Sequence, residues 1–307
     1  MEITRNLIDV EKVIASKNPA LFRLIPGWFI RYLKRITHQD AVNDYIYRNR
    51  EKFGLEFVDA ILAEFGAKIS VGSEILMPDT GNRHQNWIPS TDSVQIRELL
   101  SRIISPEGRY IVVSNHPLGG LDGMALIQVV GHVRTDLVFP VNDILMNVPG
   151  LQPLFIPINK HGKNTDNVQL IDETFASGKV ILYFRAGLVS RKLKGGVIRD
   201  LEWKKTFITK ARKYRRDIIP AHISGRNSDF FYNLANWRKR LRIKANLEML
   251  YLVDEMVKQK DKPVRIQFGE PIPYMAFNKT RTDSQWAQMM KAHVYSMSDI
   301  PHPEPMI

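Results

Sequence analysis

The segment Asn115-His116-Pro117-Leu118-Gly119-Gly120-Leu121-Asp122 holds residue types that do proton chemistry, at a spacing that lets them meet. An imidazole can accept a proton near neutral pH, since an unperturbed histidine titrates at about 6.5. A carboxylate on the same loop can hold the other ring nitrogen, fixing tautomer and orientation. Five residues separate His116 from Asp122, and Gly119 and Gly120 permit the tight turn that would bring them together. The pair is half of a hydrolytic triad. The other half is missing, because the chain has no cysteine and no Gly-x-Ser-x-Gly elbow. A base without an enzymic nucleophile suits direct transfer, with His116 activating a hydroxyl on the substrate itself. A second reading of the same residues stays open, with Asp122 as an ordinary helix N-cap and His116 as a strand-end residue without chemistry.

The elements around the loop must position it. The apolar run at 110–113 predicts a buried strand that ends just before His116, at the edge where open α/β sheets gather their ligands. Residues 123–130 predict the helix that follows. Further apolar runs at 137–141, 154–158, 180–184, 218–223 and 264–268 read as strands, and 67–78 as a short strand or hairpin leading into a polar loop at 79–92. Helical patterns at 93–105, 165–177 and 203–214 separate several of them. The alternation predicts an α/β fold with a mostly parallel central sheet flanked by helices, and an N-terminal helical membrane-interacting segment. The expected division is 1–66 as that helical segment, 67–280 as the α/β domain, and 281–307 as a C-terminal helix with a loose tail.

Within the N-terminal segment, Trp28, Phe29, Tyr32, Leu33 and Ile36 share one helical face, and Arg31, Lys34 and Arg35 share the opposite one. An interfacial helix has this layout, with aromatics for the headgroup boundary and cations for anionic lipid. A core-packing helix with a solvated basic face has it too, and both readings stand. The N-terminus lacks the apolar core of a secretory signal, and no charge-free apolar run reaches the length of about eighteen residues that a membrane span needs. A peripheral position on the cytoplasmic face of a membrane is therefore expected.

The chain has 307 residues, 44% of them hydrophobic and 25% charged, as in ordinary globular domains. Lys and Arg number 44 against 32 Asp and Glu, a net charge of +12 that calls for an anionic partner. Between positions 185 and 216 stand twelve Lys and Arg against Asp200 and Glu202. Helical wrapping scatters most of those from Lys204 onward, which leaves Arg185 and Arg191, beside an expected strand end, as the cations for the site. His132, His161 and His222 are not spaced as metal ligands, so no metal is expected. No Walker loop or dinucleotide fingerprint is present.

Asn115-His116-Pro117 with Asp122-Gly123, then Phe184-Arg185-Ala186-Gly187, then Ile218-Ile219-Pro220, resemble three ordered blocks of the lysophosphatidic acid acyltransferase family, over about residues 108–225. The His-Pro-x-Gly-Gly-Leu-Asp-Gly form, with Arg226-Asn227-Ser228 and Phe230-Phe231-Tyr232, resembles the bacterial subgroup that acylates lyso-ornithine and lyso-glycine lipids, some of whose members carry hemolysin-type names. Three departures stand out. The family spaces its His and Asp one residue closer, so the loop here must bulge, at Gly119-Gly120. The family's Phe-Pro-Glu-Gly block lacks its carboxylate here and gains Arg185. Its Phe-Ile-x-Arg block falls on Phe155-Ile156-Pro157-Ile158, with Lys160 as the nearest cation.

The resemblance implies an O-acyltransferase that moves an acyl group from an acyl carrier protein or coenzyme A thioester to the hydroxyl of a lyso-lipid. The departures point to an N-(3-hydroxyacyl) amino-acid lipid as acceptor, with phosphatidic acid synthesis as the alternative. No cofactor is implied beyond the thioester co-substrate. His116 and Asp122 would be catalytic. Asn115, Gly119, Gly120, Lys160, Arg185, Gly187, Arg191, Arg226, Asn227 and Ser228 would bind substrate, with amides near Gly120 or Gly187 for the oxyanion. A basic nucleic-acid binder or a non-catalytic membrane adaptor would also fit the charge. The first has no recognisable binding module here, so no nucleic acid is expected, and neither uses the His116 block.

Overall fold

The computed structural model describes residues 7–17, 19–73, 87–141, 145–157, 165–184 and 188–298. Five helices lead: α1 (Val10–Lys17), α2 (Pro19–Leu24), α3 (Gly27–Ile36), α4 (Gln39–Arg48) and α5 (Leu55–Glu64). Strands and helices then alternate as β1 (Lys68–Ser73), β2 (Ile88–Pro89), α6 (Ser93–Leu100), β3 (Tyr110–Ser114), α7 (Gly120–Gly131), β4 (Leu137–Val141), β5 (Phe155–Pro157), α8 (Thr165–Ala176) and β6 (Val180–Phe184). A short antiparallel pair, β7 (Arg191–Lys192) and β8 (Ile198–Arg199), precedes α9 (Thr206–Tyr214) and β9 (Asp217–Ile223). The chain ends with α10 (Asp229–Arg240), α11 (Leu252–Val257), β10 (Pro263–Phe268) and α12 (Asp283–Ser296).

Eight strands form one sheet in the order β2-β1-β10-β9-β3-β6-β4-β5. Strands β9, β3, β6, β4 and β5 are mutually parallel, as are β1 and β10, and two antiparallel pairings, β1 with β2 and β10 with β9, complete it. The expected mostly parallel α/β sheet is therefore present. Strand β3 shows why it is central: all five of its residues are buried, and its side chains alternate between two cores. Val112 joins Phe57, Ile96, Leu100 and Leu126 on one face, while Ile111 and Val113 join Phe207, Ile208, Met290 and Val294 on the other. Sandwiched in this way, β3 delivers His116 to the carboxyl edge of the sheet.

Helix α3 packs against the core, as the second reading of its sequence expects. It buries Ile30, Leu33 and Ile36, so the packed face is turned toward Ile30 relative to the expected aromatic stripe. Trp28 is 64% exposed at the edge of that stripe, beside exposed Arg31 and Arg35. Among the described residues, no helix is long and apolar enough to cross a membrane. The far end of the expected first hairpin and the start of its polar loop, 74–86, lie outside the described residues, as does the tail from 299.

The basic run at 185–216 does not form one patch. Lys210 and Lys213 both pair with Asp172, and Arg212 pairs with Asp283 at 2.8 Å. Arg216 is wholly buried and donates to the carbonyls of Tyr110, Thr174, Phe175, Ser177 and Lys179, closing the C-terminal end of α8 onto β3. Burial pushes its guanidinium down to about 10. Its removal leaves buried carbonyls without donors, so Arg216→Met is expected to destabilise the fold by about 3 kcal/mol or more, measured by urea unfolding.

Candidate active site

Just beyond β3 the chain turns through Gly119, whose φ of +92° is the left-handed region that glycine occupies without strain. This is the bulge that the spacing of His116 and Asp122 requires. Asp122, in the first turn of α7, is fully buried and gathers the loop around itself. Its Oδ2 accepts from the backbone N–H of Leu118 at 2.9 Å and of Gly119 at 3.0 Å, and it meets His116 Nδ1 at 2.8 Å. The helix N-cap is Gly119, not Asp122 as the alternative reading had it: Asp122 is the third residue of α7 and reaches back to amides that precede the helix. The carboxylate closes the loop, and the loop brings the imidazole to the carboxylate.

Accepting from Nδ1–H leaves the lone pair of neutral His116 on Nε2, on the far side of the ring. The imidazole is 18% exposed and stacks on Phe184 at 4.2 Å with an interplanar angle of 21°. Phe184 meets Phe139 edge-on at 5.1 Å, and both rings lie against Gly123, so an aromatic wall fixes the plane of the imidazole. Burial pushes the Asp122 carboxyl up, while His116 and the Leu118 and Gly119 amides pull against that shift.

The backbone of His116 is held from the opposite side. Its N–H donates to Asp200 Oδ1 at 3.2 Å, and its carbonyl accepts from Ser190 N–H at 2.7 Å. Ser190 Oγ–H donates to the same carboxylate at 2.5 Å, and the indole of Trp203 donates to Asp200 Oδ2 at 2.9 Å. Asp200 is fully buried, and α12 anchors its backbone through Tyr295 Oη and Lys291 Nζ. Neither Ser190 nor Asp200 carries a local sequence signal for this role, since the contacts span 74 and 84 residues. Asn115 acts in the same way. Its side-chain amide exchanges two hydrogen bonds with the backbone of Ile223, extending the β3 to β9 pairing by one residue. Leu252 of α11 lies against Gly119 and Met256 against Gly120, roofing the loop.

The acyltransferase family model matches residues 93–298, spanning both the base loop and the Asp200 support. The chain belongs to this acyltransferase family. It is 43% identical over 293 residues to the lyso-glycine lipid O-acyltransferase of Bacteroides thetaiotaomicron, covering 95% of this chain and 97% of the relative. It is 42% identical to the lyso-glycine lipid O-acyltransferase of Phocaeicola vulgatus, covering 95% of each. The crystal structure of the 1-acyl-sn-glycerophosphate (LPA) acyltransferase PlsC from Thermotoga maritima is similar at a TM-score of 0.43 and 16% identity, over 95% of both chains. The protein is an enzyme that transfers acyl groups.

The other expected site residues of the acyltransferase fall into separate places. Lys160, Arg185 and Gly187 lie outside the described residues. Arg191, expected as a substrate-binding cation beside a strand end, is 1% exposed and bound to Glu248 at 3.0 Å, where burial pushes its guanidinium down. A charge so deep is held only by a partner, and Glu248 also takes Arg238 at 2.8 Å. Ser228 serves as the N-cap of α10 and binds buried Glu255 through both N–H and Oγ, a structural role in place of the expected substrate contact. Asn227 is buried, and its backbone N–H donates to Tyr232 Oη at 3.0 Å. Arg226 is exposed beside it and pairs with Asp229 at 2.6 Å. Gly225, preceding it, packs on Leu118, which places this loop against the base loop.

Two substitutions test the geometry. Asp122→Asn presents an N–H to Nδ1, moves the imidazole proton to Nε2 and abolishes the base, so kcat is expected to fall roughly thousand-fold or more. The folded chain holds this carboxyl above its ordinary pKa, so it binds more protons than the unfolded chain and stability declines as pH rises from about 3.8 to the raised value. The Asn variant should lose that decline in urea unfolding followed across acid pH. Asp200→Asn cannot accept from both His116 N–H and Ser190 without a mispaired amide. It is expected to lower kcat about a hundred-fold with KM and the pH profile kept, whereas a merely structural lesion would lower the active fraction and leave kcat per active site unchanged.

Proposed function

We propose that this acyltransferase completes a lyso-glycine lipid, moving a fatty acyl group from a thioester of acyl carrier protein or coenzyme A to the hydroxyl of an N-(3-hydroxyacyl)glycine lipid at an anionic membrane surface. The observation that carries the chemistry is the 2.8 Å contact of His116 Nδ1 with Asp122, which reserves Nε2 for the substrate. Support for the acceptor comes from the end-to-end likeness to two lyso-glycine lipid O-acyltransferases and from the sequence block at 184–187, where a carboxylate gives way to Arg185.

In this reading, His116 Nε2 takes the proton of the acceptor hydroxyl as that oxygen attacks the thioester carbonyl. Asp122 stabilises the imidazolium, and the N–H of Gly120, in the first turn of α7, would hold the developing oxyanion, an interaction worth a few kcal/mol per donor in such sites. The tetrahedral intermediate collapses with cleavage of the C–S bond, and the imidazolium returns its proton to the departing thiolate. Arg226 and Arg185 would receive the glycine carboxylate. Trp28, Arg31 and Arg35 of α3 would meet the lipid surface.

The test is transfer of a labelled acyl group by the purified enzyme, with N-(3-hydroxyacyl)glycine and lysophosphatidic acid offered in separate reactions. The amino-acid lipid is expected to be acylated at least about ten times faster, and preference for the phosphate acceptor would sink the assignment. His116→Ala is expected to abolish transfer, and Arg226→Ala to raise KM for the acceptor with KM for the thioester unchanged.

A further inference from the structure

Helix α10 is apolar on two faces. Phe231, Tyr232 and Ala235 are buried, as a helix packed on a core requires. At about 100° per residue, Phe230, Leu234, Trp237 and Leu241 share the other side. There Phe230 is 50% exposed, Trp237 68% and Leu241 60%. The chain then stays exposed at every position from 239 to 247, Ile243 and Leu247 included. A soluble surface does not gather so many large apolar side chains without use.

This exposed segment is nonetheless firmly held. Arg238 turns inward to Glu248 at 2.8 Å and donates to the carbonyl of Ile243 at 2.9 Å, while Arg191 locks the same carboxylate from below. A buried Arg-Glu-Arg network therefore fixes a loop whose apolar side chains face outward. Charge is just as one-sided. Between Phe230 and Leu247 stand five cations and no carboxylate. With Arg238 committed, Lys239, Arg240, Arg242 and Lys244 are all exposed.

The stripe is also continuous with α3. Phe230 meets Tyr251 at 5.0 Å, Tyr251 meets Tyr32 at 6.5 Å, Tyr32 stacks on Phe29 at 6.1 Å, and Phe29 meets Trp28 at 5.6 Å. The ring path passes Tyr251 at the start of α11, whose Leu252 lies against Gly119, so the middle of the surface adjoins the base loop.

We infer that α10 and the loop after it form a second membrane-docking surface, in which Trp237, Leu241 and Ile243 enter an anionic lipid bilayer while Lys239, Arg240, Arg242 and Lys244 hold its headgroups. This rests on the reading that the acceptor is a membrane lipid. Cations alone would suit an acidic protein or a nucleic acid equally, but alternation with Trp, Leu and Ile calls for a partner with apolar material directly under an anionic layer. Two leaves, α3 and α10, would then seat the enzyme with the base loop between them.

The experiment measures partitioning of the full chain onto phosphatidylcholine vesicles with and without phosphatidylglycerol. Trp237→Ser combined with Leu241→Ser and Ile243→Ser should weaken binding at least about ten-fold. Lys239→Gln combined with Arg240→Gln and Lys244→Gln should remove the response to phosphatidylglycerol. Both variants should melt with the wild-type protein and acylate detergent-dispersed acceptor at its rate. Unchanged partitioning of either variant overturns the proposal, as does lost affinity for acyl carrier protein or DNA with vesicle binding intact. A wild-type protein that binds vesicles but acylates no acceptor in detergent defeats the functional reading and leaves the docking surface standing.

Discussion

A single buried carboxylate organises the working end of this molecule. A carboxylate in a dry site is costly to ionise unless hydrogen-bond donors replace the water it loses. For Asp122 the donors are the Leu118 and Gly119 amides and the His116 ring, all from within a stretch of seven residues. The same contacts that solve the solvation problem dictate the tautomer of the base. The orientation of the imidazole and the local folding are therefore one constraint, and the left-handed Gly119 is the backbone device that satisfies both.

That constraint propagates outward through the sheet. The loop has no freedom to drift, because Asn115 ties its root to β9 and Asp200 with Ser190 grips His116 on both sides of its α-carbon. Asp200 is in turn fixed by α12, which packs in the same core as the outer face of β3. The base is thus referenced to the rigid parallel strands and not to the loop that carries it. Preorganisation of this kind would matter most in the direct transfer proposed for this site, where no covalent intermediate on the enzyme holds the reactants together.

Much of this was legible in the sequence, and the boundary is physical. The strands at 137–141 and 180–184 match their apolar runs residue for residue, because a strand buried on both faces is written as an uninterrupted apolar stretch. The His116 and Asp122 pair was legible because both members lie on one loop. Pairings that close over long separations were not. Nothing local distinguishes Asp200, Glu248 or Glu255 from solvated acids, nor marks Arg191 and Arg216 as buried members of their basic run. The antiparallel return of β10 against β9, and the helices at 229–240 and 252–257, likewise depend on tertiary contacts that periodicity does not encode.

The buried ionic networks share a location that apolar packing alone would not explain. Arg191-Glu248-Arg238 and Ser228-Glu255 both tie down the stretch from 228 to 255, and Leu252 and Met256 of its α11 end press on Gly119 and Gly120. Hydrophobic residues would hold that stretch with equal or better stability, but they would leave it free to repack with the apolar side chains of its own exposed face. Directional pairs have one geometry and resist that exchange. An enzyme whose substrate is an amphiphile must keep apolar surface beside its active site without letting that surface collapse into its own core, and buried charge is a means of keeping the two apart.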